Sequence, residues 1–271
     1  SWEPIPWQDA LDRTAEGLER ARERTGAASV AFVNGSFKGG YQGQYLSRFA
    51  NLFGSPNILG TGYVCFLPRA KASRTTYGFY AVPDLDASPE GVVLWGANPA
   101  ETLHHVHSRL AGALERGGRL MVIDPARTEE AGRADLWVRP RPGTDLGLAL
   151  GMLHVLIEEG RFDADFVDRW TVGFELLRGH VRAWTPEAAS RVTRVPPDEI
   201  RAAARFYGER RPACLIWGNA LDHGVNNYQT CRALCILRAV TGNLDRPGGE
   251  DLWSPPPVRG HLLGSDAASL T

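Results

Sequence analysis

No run of about 18 consecutive apolar residues occurs in this 271-residue sequence, so no segment reads as a membrane-spanning helix. The start, Ser1-Trp2-Glu3, lacks a basic n-region, an apolar h-region and an initiator Met. We therefore expect the true N-terminus, with any targeting signal, to lie outside this sequence, and the compartment stays open between cytoplasm and periplasm. An excess of charge is missing too. Against 31 Asp and Glu stand 30 Lys and Arg, a formal net charge of -1, which gives no electrostatic reason to expect nucleic acid or an anionic membrane as partner. Cysteine is scarce: Cys65, Cys214, Cys231 and Cys235 form no CxxC pair and no Cys/His zinc spacing, which speaks against a disulfide scaffold or a structural zinc site. Absent as well are GxGxxG, GxSxG, the Walker loop and HExxH, so the short motifs of dinucleotide dehydrogenases, serine hydrolases, P-loop enzymes and zinc peptidases give no lead.

What is present is a repeating β-α rhythm and enough apolar residues, 43%, for one large core or two modest ones. Apolar residues at helical spacing over 7–24 and 42–53 predict helices, with 29–33 a short strand between them and Gly35-Ser36 its loop. The runs 91–95, 119–123, 136–138 and 212–217 read as buried strands. Helices are expected over about 100–116, 145–159, 199–210 and 229–241, and the Pro- and Gly-rich tail from Arg246 reads as a loop. Strands alternating with helices imply a parallel sheet joined by crossovers.

Several segments are candidates for chemistry. Gly96-Ala97-Asn98-Pro99 follows a strand and opens a helix, where backbone N–H groups and the helix dipole suit phosphate. Asp124 ends the next strand, where a carboxylate can meet ribose or base donors. Arg139-Pro140-Arg141-Pro142-Gly143-Thr144-Asp145 offers cations, a turn glycine, a hydroxyl and a carboxylate to an anionic nucleotide. Asp145 has two readings: a carboxylate accepting both the N1–H and the exocyclic amine of guanine, or a helix N-cap. Trp217-Gly218-Asn219 echoes Trp95-Gly96-Ala97-Asn98, as if two strand ends faced one ligand, although two ordinary turns would look alike. His104, His105 and His107 fit a polar helix face better than a metal site, since no carboxylate or thiol lies at matching spacing. Cys214, Cys231 and Cys235 sit among apolar residues and read as core thiols. Cys65, between Gly60-Thr61-Gly62 and Phe66-Leu67-Pro68-Arg69, reads either as a thiol near a cleft or as one more buried thiol.

Taken together, Gly60 to Cys65, Gly96 to Pro99, Asp124-Pro125 with Arg127-Thr128, Arg141 to Asp145, Asp163 to Val167, and Thr241-Gly242-Asn243 leading to Pro247-Gly248-Gly249 resemble the molybdopterin oxidoreductases of the dimethyl sulfoxide reductase family. That family includes formate dehydrogenases, nitrate reductases, and thiosulfate and arsenate enzymes. The resemblance covers almost the whole chain. It implies molybdenum or tungsten held by bis-molybdopterin guanine dinucleotide, with Cys65 as the catalytic metal ligand, a soft thiolate beside sulfur-rich dithiolenes. By the same resemblance Gly96, Asn98, Asp124, Pro125, Arg127, Gly143, Thr144 and Asp145 bind one guanine dinucleotide, and Gly218 and Asn219 lie near the cofactors. Ala126 stands where the family usually has Arg, and Phe66 where formate dehydrogenases usually have His, which weakens formate as substrate.

The resulting expectation is an α/β protein with Rossmann-like parallel sheets flanked by helices, two units with one inserted in the other: 1–57 as part of the first, 58–254 as the inserted dinucleotide-binding domain, and 255–271 as the return. It would be the central fragment of a redox enzyme, inactive and metal-free alone, with any iron-sulfur cluster in parts not included. Its partners would be a small-molecule substrate and an electron-transfer subunit or domain. Two rivals are a non-redox hydratase-like relative on the same scaffold and a nucleotide-binding or interaction module without metal chemistry.

Overall fold

A computed structural model describes residues 2–35 and 42–253. The loop expected at Ser36 and the return segment 255–271 lie outside the described residues. The chain divides into two compact units between Gly62 and Tyr63.

In the smaller unit, α1 (Trp7–Thr25) turns one face of apolar residues inward only partway, and none of its residues is buried. A short turn at Ala27–Ser29 takes the first residue expected as a strand, and β1 is shortened to Phe32–Val33, which pairs in parallel with β2 (Ile58–Leu59) after α2 (Gln42–Phe53). Phe32 packs edge-on against Phe49 and Phe53, with ring centroids 5.5 and 5.6 Å away, and this aromatic cluster ties strand to helix.

The larger unit opens with α3 (Leu67–Tyr77) and β3 (Tyr80–Pro83), then alternates β4 (Gly91–Trp95), α4 (Pro99–Thr102), α5 (His104–Glu115), β5 (Arg119–Ile123), α6 (Glu129–Arg133) and β6 (Leu136–Val138). A helical stretch follows: α7 (Asp145–Glu158), α8 (Ala164–Trp170), α9 (Phe174–Val181), α10 (Pro186–Thr193) and α11 (Pro197–Glu209). The chain closes with β7 (Ala213–Trp217), α12 (Ala220–His223), α13 (Asn227–Val240) and β8 (Glu250–Trp253). The helix expected over 100–116 is broken at Leu103, whose non-helical backbone separates α4 from α5. The tail expected as a loop carries β8, which pairs antiparallel with β3.

Four strands form one parallel sheet in the order β6-β5-β4-β7. Both faces are covered, so its strands are continuous apolar runs rather than alternating ones. Val93, Trp95, Met121, Ile123, Val138, Leu215 and Trp217 point into one core with α3, α7, α11 and α13. Val92, Leu94, Leu120, Val122, Cys214 and Ile216 point into the other with α5 and α6. On the first side, Leu148, Met152, Leu153 and Leu156 of α7 are almost wholly buried; each such side chain stabilises the fold by about 1.5–3 kcal/mol. Cys214, Cys231 and Cys235 are buried core thiols, as their apolar neighbours predict.

From β4 the chain moves outward to β5 and β6, then returns through α7–α11 to place β7 on the opposite flank of β4. The crossover helices therefore diverge between β4 and β7, and a crevice at the carboxyl ends of these strands is where open α/β sheets receive ligands. A buried ion pair braces this side: Arg238 on α13 and Glu250 on β8, both fully buried, meet at 2.9 Å. Arg238 also donates to the Leu215 carbonyl at 2.6 Å, and Glu250 accepts from the Leu215 amide at 2.7 Å, so the pair completes the exposed edge of β7.

Candidate cofactor site at the carboxyl edge

The sheet topology brings the predicted loops to one edge. Gly96 follows β4 with φ +58°, and Gly218 follows β7, its amide donating to the Trp95 carbonyl at 2.9 Å. A Cβ on Gly218 would lie 1.7 Å from the Gly96 carbonyl oxygen, so only glycine permits these strand ends to approach. Asn98 stands just before α4, and its Oδ1 is buried without a hydrogen-bond partner among the described residues. Such an acceptor is costly unless a donor arrives.

Asp145 is the first residue of α7, with Thr144 in the cap position, so it does not act as the N-cap that one sequence reading allowed. Its carboxylate instead accepts the Trp95 indole N–H at 2.8 Å, joining the loop after β6 to the end of β4. Burial pushes the Asp145 carboxyl up, against the lowering effect of the indole donor. Burial also raises Asp124, with the Ala126 amide opposing and the charge of Asp145 adding to the rise. Two carboxylates thus face one region with few protein donors. Gly143 has φ +80° and open space around its Cα. Thr144 Oγ1 donates to the Arg141 carbonyl at 2.6 Å, closing the turn. Pro125 and Arg127 are exposed beyond β5.

Three supporting residues escaped the sequence reading. Glu130 is buried and accepts the Ala100 amide at 2.8 Å, with His107 Nδ1 3.2 Å away, so it fixes the turn from Asn98 into α4. This gives His107 a structural partner, and no metal-binding group of His, Cys, Asp or Glu is found among the described residues. Arg69 and Asp222 are the other two. Arg69 lies one turn beyond Cys65 in α3; its guanidinium donates to the Trp217 carbonyl at 2.7 Å and to Asn219 Oδ1, and pairs with Asp222 at 2.9 Å. Its proximity to Cys65 was the only clue in the sequence. Cys65 itself is half-buried, after a tight turn at Thr61–Val64. Its neighbour Phe66 stacks at a tilt against Tyr80, 5.1 Å between centroids.

Comparison with known proteins decides the family. The family model for molybdopterin oxidoreductases matches residues 1–262. The chain belongs to the molybdopterin oxidoreductase family. Acetylene hydratase from Syntrophotalea acetylenica is 36% identical over 259 residues, 94% of this chain and 35% of that protein. Formate dehydrogenase H from Escherichia coli is 30% identical, over 90% of this chain and 35% of its own length. The solved structure of acetylene hydratase from Pelobacter acetylenicus superposes with a TM-score of 0.85 at 33% identity, covering all of this chain and 37% of that one. The resemblance read from the loops and the α/β fold are therefore borne out. This molybdopterin oxidoreductase chain spans about a third of the length of the curated relatives it matches. Among its described residues no helix is long and apolar enough to cross a membrane.

Proposed function

We propose that this chain is the central cofactor-binding part of a molybdenum or tungsten enzyme that holds its metal on bis-molybdopterin guanine dinucleotide and oxidises or reduces a small substrate at the metal. The observation that carries the reading is the acceptor set at the carboxyl edge. Asp145 and Asp124 are carboxylates raised by burial, and Asn98 Oδ1 is a buried acceptor without a donor. Guanine offers paired N–H donors and ribose offers hydroxyls, so the residues present fit such a dinucleotide. In this reading Asp145 accepts from guanine, Asp124 and Asn98 take ribose or base donors, and Gly96, Pro125, Gly143, Thr144 and Arg127 shape and neutralise the path of the phosphates. Gly218 and Asn219 form the facing lip. Cys65 is the thiolate ligand. The metal, when bound, supplies the two-electron chemistry, while the chain orients and insulates it. An electron-transfer subunit or domain would complete the redox enzyme.

The hydratase relative, matched over nearly the whole chain, favours a second reading in which the same site adds water without net redox change. Phe66 after Cys65 also sets this chain apart from the formate dehydrogenase pattern.

The test is Asp145→Asn in the full-length protein. Replacing a carboxylate that accepts two guanine donors removes a charge-assisted pair, each bond contributing about 1.5–3 kcal/mol, so guanine-dinucleotide content should fall while circular dichroism is unchanged. Unaltered content would remove Asp145 from the role. Substrate-dependent reduction of an electron acceptor distinguishes the oxidoreductase from the hydratase.

A further inference from the structure

The α3 helix has an unusual N-terminus. Its cap residue, Phe66, provides no side-chain hydrogen bond, and Pro68 occupies an early position. The acceptor arrives from far along the chain: Asp222 Oδ1 takes the Arg69 backbone N–H at 3.2 Å, across 153 residues. The other Asp222 oxygen faces the Arg69 Nε at 2.9 Å. Arg69 spends its remaining donors on the end of β7, at the Trp217 carbonyl and Asn219 Oδ1. Asp222 is wholly buried and Arg69 is 9% exposed. The Nε contact is one of charge alone, since neither Arg69 Nε nor Asp222 Oδ2 has a hydrogen-bond partner among the described residues. The directional bonds run from the Arg69 amide to Asp222 and from its guanidinium to Trp217 and Asn219, joining three elements through a planar fork whose geometry a Lys ammonium does not reproduce.

Nothing in ordinary helix capping requires this. An Asp or Ser at position 66 would satisfy the first turn locally. The cost of burying an ion pair is offset only when its geometry is good and its remaining groups are bonded. Here Arg69 Nε and Asp222 Oδ2 stay unbonded, so the pair is a poor source of stability and fits a role in fixing one arrangement of the turn. Cys65 stands just outside the clamped turn, with Phe66 and Leu67 exposed beside it. Without the clamp, the thiol would hang on a loop between a glycine-rich turn and an uncapped helix.

We propose that Arg69 is a positioning residue: with Asp222 and Asn219 it forms a clamp that fixes the Cys65 thiol relative to the carboxyl end of β7. That the thiol's position matters for a metal rests on the function proposed above, whereas the clamp itself does not. Ligand atoms on loops lose precision unless a rigid second layer holds them, which is the role these three side chains fill.

The experiment uses the full-length protein in two forms. In cofactor-free protein, the rate of iodoacetamide labelling of Cys65 is followed by peptide mass spectrometry, with buried Cys214, Cys231 and Cys235 as internal reporters of folding. Arg69→Lys, Asp222→Asn and Asn219→Ala should each speed Cys65 labelling while the three core thiols stay protected. Arg69→Lys should give about a tenfold increase, the factor expected for losing roughly one charged hydrogen bond; Asn219→Ala should give less. The Arg69→Lys, Asp222→Asn double variant should add little to either single change, because the residues act as one unit. An unchanged Cys65 rate in Arg69→Lys with protected core thiols overturns the proposal. Should Arg69→Lys expose all the thiols, Asn219→Ala, which leaves the ion pair intact, decides in the same terms. In cofactor-loaded protein, X-ray absorption at the metal edge is compared between the parent and Cys65→Ala. Loss of sulfur there with unchanged labelling in Arg69→Lys sinks the clamp and keeps the metal-ligand reading. Faster labelling with an unaltered metal edge does the reverse.

Discussion

Replacing Gly218 by Ala puts the closeness of β4 and β7 to a direct test. The added Cβ would meet the Gly96 carbonyl oxygen at 1.7 Å, its carbon at 2.6 Å and the Ala97 Cα at 2.9 Å. All three are backbone atoms, so no side chain can swing aside. Relief requires the strand ends to part, which stretches the 2.9 Å bond from the Gly218 amide to the Trp95 carbonyl. Overpacking ordinarily costs about 1–3 kcal/mol, and an obstructed backbone belongs at the upper end, with about 1 kcal/mol more for the weakened hydrogen bond. For a unit of this size each kcal/mol lowers the melting temperature by roughly 2–4 °C, so Gly218→Ala should melt roughly 8–16 °C below the parent in calorimetry. Gly143→Ala is the control. Its φ is +80° but its surroundings are open, so only left-handed strain of about 1–2 kcal/mol applies. If Gly218→Ala melts within about 2 °C of the parent, less than roughly 1 kcal/mol at this size, the strand ends are not in the contact described.

Three further outcomes follow from the charges. Glu250→Gln leaves the buried Arg238 cation without its counter-charge and should cost about 3–5 kcal/mol, read as a lower urea midpoint. Glu159 lies 2.7 Å from both Arg161 and Arg205, and hydrogen bonding to Arg205 leads the effects that hold its carboxyl at about 2, below the ordinary 4.5. A depressed carboxyl stabilises the fold above its unfolded value and loses that contribution as pH falls. The parent should therefore lose stability between pH 4.5 and about 2 more steeply than Glu159→Gln; identical slopes in pH-dependent melts would reject the pairing. Asp145 shows the opposite sign. Its carboxyl is raised by burial, so ionisation disfavours the folded state as pH rises through its folded value. Cofactor-free Asp145→Asn should hence melt no lower than the parent at pH 7, and a drop of several degrees would contradict this.

The parallel sheet was legible because its strands are buried on both faces. Val92-Val93-Leu94-Trp95 and Leu120-Met121-Val122-Ile123 are uninterrupted apolar runs, and the loops after them keep their order in the chain. Asp124 drew notice because it ends a strand, and Asp145 because it closes the cationic turn after β6. β8 was hidden because it begins with Glu250, an acid whose burial depends on Arg238 rather than on hydrophobic pattern. The break at Leu103 was equally silent, since a leucine within an apolar period signals helix. Arg69, Asp222 and Asn219 are separated by up to 153 residues. Local periodicity contains nothing about such a pairing, and it reveals itself only once β7 has been laid beside β4.

The long reach of Asp222 to the start of α3 also orders events in time. A helix whose first turn borrows its acceptor from 153 residues downstream cannot finish that end while the downstream chain is still unfolded. Helix α3 can form its later turns early, but the Arg69 amide must exchange with solvent until α12 has arrived beyond β7. Cys65 adjoins that first turn, so the clamp can bear on it only once the chain 153 residues downstream is in place.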